Sequence, residues 1–77
     1  MSSLDLLRYK EKTLRGVYGL TEREIQVLRY VCRGLTNDQI AQRLHISKFT
    51  VETHMKNIFE KTGIRHRAGL SGIFNGI

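Results

Sequence analysis

An all-α fold, a small four-helix domain with a central helix-turn-helix, is what the 77-residue sequence predicts. Three observations carry that prediction. One helix-start formula is written three times, as LTEREI from Leu20, LTNDQI from Leu35 and ISKFTV from Ile46. Only His45, Ile46 and Ser47 separate two of the helices that these formulas open. Beyond each start, apolar residues recur at the three- and four-residue spacing of a helix with one buried side.

Residues 1–19 allow a helix from Ser3, with Leu4, Leu7 and Leu14 roughly along one side, and Gly16 and Gly19 close the segment. Its expected role is a linker or a strap over part of the core, or else the tail of a connection to a second domain. Residues 20–77 form the expected folded domain.

At its start, Thr21 and Glu24 make a capping box, with Leu20 and Ile25 as the hydrophobic staple. The helix runs from about Glu22 to Arg33, with Val27, Leu28, Val31 and Cys32 inward, and Gly34 supplies a left-handed stop. Thr36 and Gln39 repeat the box, and Leu35 and Ile40 the staple, for a short helix from near Asn37 to Leu44. Ile40, Ala41 and Leu44 face inward, and the small Ala41 lets the next helix come close.

That next helix begins near Lys48, because Ser47 is a good N-cap and Ile46 can staple onto Val51. Val51, Met55, Ile58 and Thr62 form its inward side, flanked by His54 and Phe59. Its other side carries Lys48, Glu52, Thr53, Lys56, Asn57, Glu60 and Lys61, a mixture that a merely solvated face would also present. Gly63 is a second left-handed stop, Ile64 can fold back onto the core, and the basic loop Arg65, His66 and Arg67 leads to a last helix of about Arg67 to Asn75. There Leu70, Ile73, Phe74 and Ile77 hold the amphipathic spacing. At the end of so small a domain this stripe is too exposed for one chain, so a second copy should cover part of it in a two-fold contact.

Two helices joined by three residues must cross steeply, as in a helix-turn-helix, where the second helix lies in the DNA major groove and the first crosses the backbone. Helix pairs with short turns also occur in proteins that never meet DNA, and charge bears on the choice. The formal net charge is +6 and the isoelectric point about 10.0, which favours a polyanionic partner. Residues 43–67 hold six Lys or Arg against two acids, whereas residues 20–42 hold three against three. The excess therefore sits on and after the second helix of the pair. The free N–H groups and positive dipole at the two helix starts make Thr36, Asn37 and Lys48 natural phosphate sites.

Other classes find little support. The side of a basic helix that would enter a lipid surface is needed here for the core. No run of about 18 apolar residues and no secretory signal occurs, so the chain reads as cytosolic, with no membrane partner. The single Cys32 has no internal partner and is expected as a buried structural thiol. His45, His54 and His66 lack metal-ligand spacing, and no paired carboxylates, phosphate loop or nucleophile-and-base set appears. No catalytic residue, metal or cofactor is expected.

From Leu20 through Leu70 the sequence resembles the LuxR-type, or GerE-type, helix-turn-helix domains of bacterial transcription regulators. The likeness is carried by LTEREIQVL, GLTNDQIAQRL, ISKFTVETHMKNIFEKTGI and the Arg and Leu of HRAGL. It implies a four-helix DNA-binding domain that dimerises through its last helix on an inverted-repeat operator, with Leu70, Ile73, Phe74 and Ile77 at the contact. Double-stranded DNA, a second copy and RNA polymerase are the implied partners. Thr50, Glu52, Thr53, Lys56 and Asn57 match the family's DNA-contacting positions. Many members carry Lys or Arg where Glu52 stands; Glu can instead accept from cytosine N4. His66 and Gly69 also depart from the pattern, which weakens the start of the last helix. Two alternatives are a region-4-like domain of a sigma factor, which fits KTGI after the long helix less well, and a helical protein-interaction module.

Overall fold

Capping decides where each element begins. The computed structural model describes residues 2–76 and contains α1 (Ser3–Tyr18), α2 (Glu22–Cys32), α3 (Asn37–Leu44), α4 (Lys48–Thr62) and α5 (Arg67–Asn75), with no strand among the described residues. Both capping boxes form. The Glu24 carboxylate accepts from the Thr21 N–H at 2.9 Å while the Thr21 hydroxyl accepts from the Glu24 N–H at 3.2 Å. Thr36 and Gln39 make the same reciprocal pair at 2.8 and 3.2 Å. Ser47 caps α4 by accepting from the Thr50 N–H at 3.0 Å. Only α5 starts without a side-chain cap, since His66 makes no such bond.

Where the sequence offered a glycine as a stop, the helix ends at it, with one departure. Gly34 and Gly63 adopt φ of 86° and 74°. In the first segment Gly19 ends the helix at φ 70°, but Gly16 lies inside α1 rather than closing it. A glycine inside a helix costs about 1 kcal/mol. Leu14 and Tyr18 offset that cost, Leu14 fully buried and Tyr18 packed against the core.

The core is a single cluster gathered from all five helices and the α1–α2 link: Leu14, Leu20, Ile25, Val27, Leu28, Val31, Ile40, Ala41, Val51, Met55, Ile58 and Leu70. α2 runs through its middle, packing on α4 and α5 and more lightly on α1 and α3, and α3 packs on α4. Ala41 is buried where α3 meets α4, the close approach that its size permits. The first segment joins this body through Leu14 and an ion pair of Glu11 with Arg29 at 3.2 Å, whereas Leu4 stays 58% exposed.

Of the four residues expected to form an exposed stripe, Leu70 is fully buried in this chain's own core, and Ile73 and Phe74 are half-buried against it. Leu70 is thus withdrawn from any surface a second copy could touch. The Lys10 ammonium of α1 sits 5.1 Å from the centre of the Phe74 ring, a cation–π contact that covers one side of it. Ile77 lies outside the described residues. Gly69 has a packing reason: a Cβ there would fall 2.8 Å from the Ile64 Cγ2, so the missing side chain makes room for Ile64 to fold onto the core.

Candidate nucleic-acid interface

The turn between α3 and α4 sets the site's geometry. His45 takes a left-handed conformation, φ 54° and ψ 44°, and its N–H donates to the Gln42 carbonyl. The next N–H, of Ile46, donates to the Ala41 carbonyl at 3.1 Å, and Ser47 already caps the next helix. A left-handed residue and an N-cap with a single residue, Ile46, between them are how three residues reverse one helix into another. Histidine is among the non-glycine residues enriched in that conformation, though the spacing alone did not single it out.

α4 then divides cleanly. Val51, Met55 and Ile58 are buried, while Glu52, Thr53 and Lys56 are exposed and Thr50 and Asn57 half-buried at the margins. Among the described residues neither Glu52 nor Lys56 has an ion-pair partner, so both heads are available to a ligand. The Thr50 hydroxyl shares a 2.9 Å hydrogen bond with Ser47, and the Thr53 hydroxyl donates to the Phe49 carbonyl at 3.2 Å.

The second group of expected contacts, at the helix starts, is more engaged. Thr36 is exposed and serves as a cap. Arg67, at the start of α5, donates to the Asn37 side-chain oxygen at 2.6 Å and to the Leu35 carbonyl at 2.5 Å. Asn37 is therefore a structural link as well as a candidate contact. Lys48 approaches Asp38 at 3.8 Å; both side chains are mostly exposed, so a phosphate can compete for the ammonium.

Two features escaped the spacing argument. Phe49 is 77% exposed in the first turn of α4, beside the candidate contacts. Its separation of four from Thr53 and seven from Lys56 was the available signal. Glu24 was read only as a capping residue, yet it is 3% exposed and bonded to the Lys61 ammonium at 2.6 Å. Burial raises its pKa, but the Lys61 contact and the Thr21 hydrogen bonds outweigh burial and hold it below the ordinary carboxylate value. This pair ties the start of α2 to the end of α4, 37 residues away. Burial pushes the half-buried Cys32 thiol up, favouring the protonated, unreactive form. Among the described residues no group of His, Cys, Asp or Glu is placed to hold a metal ion, and no helix is long and apolar enough to cross a membrane.

Residues 18–73, which include the turn, both of its helices and most of α5, match the bacterial regulatory proteins of the luxR family. The chain belongs to that family. LuxR-family membership makes it a DNA-binding domain of the transcription-regulator type, the likeness that its helix-start formulas carried. Similar curated proteins include the HTH-type transcriptional regulator MalT of Yersinia pestis (strain Pestoides F) and of Yersinia pseudotuberculosis serotype O:1b (strain IP 31758), each 46% identical over 48 residues, 62% of this chain. MalT of Yersinia enterocolitica serotype O:8 / biotype 1B has the same identity and coverage. The matched stretch spans about 5% of the length of those relatives. No solved structure gives a significant match.

Proposed function

We propose that this LuxR-type domain binds double-stranded DNA sequence-specifically, with α4 in the major groove, α3 across the backbone, and two chains paired through α5 on an inverted repeat. The observation that carries the reading is the outward side of α4. Glu52, Thr53 and Lys56 stand exposed on a helix whose opposite side is locked into the core by Val51, Met55 and Ile58. A rigid helix with a hydrogen-bonding outer side and a net positive surround suits a groove lined with donors and acceptors between rows of phosphates. Glu52 is the candidate for cytosine N4, Lys56 for guanine or a phosphate, and Thr36, Asn37 and Lys48 for the backbone.

Selection from a random duplex library, followed by affinity measured against salt, tests this. A preferred sequence should emerge with a steep salt dependence. If Lys56 touches only phosphate, Lys56→Ala should weaken all duplexes alike and lower the salt slope by about one unit. If it reads guanine, the variant should relax discrimination at one position by about 1–3 kcal/mol. Equal, salt-insensitive retention of every duplex would overturn the proposal.

A further inference from the structure

The outer side of α4 contains one residue that hydrogen bonding does not explain. Phe49 is 77% exposed, more than any other large hydrophobic residue described. Its position on the helix is not incidental. At 100° per residue, Phe49, Thr53, Lys56 and Glu60 follow one another at i, i+4, i+7 and i+11 and form a single row, on the side opposite Val51, Met55 and Ile58. Phe49 cannot join the core without turning α4 over, and α4 is held by three buried residues. The next residue in the row, Thr53, directs its hydroxyl to the Phe49 carbonyl at 3.2 Å. Its hydrogen-bonding capacity is thereby partly spent on the backbone, and the row begins with a phenyl ring beside a threonine whose donor is already in use.

A phenyl ring has nothing to offer a base-edge donor or acceptor. The apolar group that a base pair presents in the major groove is the C5 methyl of thymine, and Phe is among the side chains suited to meet it. We infer that Phe49 is a specificity-determining residue of this domain, packing on thymine methyl groups and fixing one or two thymines in the half-site. The inference rests on the proposed placement of α4 in the major groove and adds the base that its first turn selects. Thr53, one turn further along, extends the same apolar contact with its methyl group, while Lys56 and Glu52 read polar edges.

Deoxyuridine isolates the claim, because it keeps every hydrogen-bonding atom of thymine and lacks only the methyl group. The experiment starts from the duplex that the intact chain selects, replaces each thymine singly by deoxyuridine, and measures affinity for the wild type and Phe49→Ala. The exposed ring makes no core contact, so the variant should melt with the wild type. The wild type should lose about fourfold at one or two positions, corresponding to the ~0.8 kcal/mol of one buried methyl group. In Phe49→Ala that loss should vanish at the same positions, with the salt slope unchanged. If no replacement weakens the wild type, or if Phe49→Ala shows the same penalties, the role assigned to Phe49 is overturned while DNA binding stands. If no duplex is selected at all, the placement of α4 in DNA fails, and this inference with it.

Discussion

Glu24 serves two roles with one side chain, since it closes the capping box of α2 and pairs with Lys61 from α4. Glu24→Gln keeps a residue able to serve in the box but removes the ion pair. The expected loss is about 1–2 kcal/mol at neutral pH. That is less than the 3–5 kcal/mol of a fully buried broken pair, because the Lys61 side chain is 35% exposed and can turn to water. Because the Glu24 pKa is lowered on folding, the unfolded chain holds the proton more tightly than the native one. The contribution is therefore complete above the unfolded carboxylate value, about 4.3, and is lost as pH falls through the lower folded value. Urea unfolding between neutral and acid pH should show a smaller loss of stability for Glu24→Gln than for the wild type; parallel curves would mean that the pair contributes nothing. None of this was visible in the sequence beyond the capping box. A residue 37 positions away leaves no local trace, and only the packing of α2 on α4 brings Lys61 to it.

Among the elements, those with explicit start signals were legible almost to the residue. Thr21, Thr36 and Ser47 each cap the helix they were expected to cap, because a side-chain oxygen facing free N–H groups is a strictly local interaction. α1 was legible as a helix, although Gly16 misled about its end: local glycine cost yields to the burial of Leu14 and the packing of Tyr18 around it. α5 was legible as an amphipathic helix, but whether its stripe meets this chain or another depends on what covers it, which periodicity cannot express. The turn before α4 makes a sharper test of the element scale. His45 is the described non-glycine residue with positive φ. A left-handed conformation costs an ordinary side chain roughly 1–2 kcal/mol and a β-branched one more. Thermal unfolding should find His45→Gly within about 1 kcal/mol of the wild type, since relief of strain is offset by unfolded-chain entropy, and His45→Val destabilised by about 1–2 kcal/mol. A valine tolerated as well as glycine would mean that the turn is not held left-handed.

On the scale of the whole molecule, one core holds α4 in place and withdraws Leu70 from the α5 stripe. With Leu70 buried and the Lys10 ammonium of α1 over one side of the Phe74 ring, what the described part of the α5 stripe leaves for a partner is the outer part of Ile73 and Phe74. Two partly buried side chains cannot alone supply the roughly 1,200–2,000 Å² typical of stable interfaces. The free chain should therefore sediment mainly as a monomer and pair on duplexes carrying two half-sites about one helical turn apart. Phe74→Glu should keep the fold, with its carboxylate beside Lys10, and bind a single half-site as before while losing pairing; a variant that pairs like the wild type would remove α5 from the interface. The central claim, that the outer side of α4 meets DNA, is tested most directly by following the backbone amide resonances of the ¹⁵N-labelled chain as the selected duplex is added. The largest shifts should fall on Lys48 to Asn57 and on the start of α3 at Asn37, with α1 nearly silent. Shifts concentrated on α1, with Glu52, Thr53 and Lys56 unmoved, would contradict it.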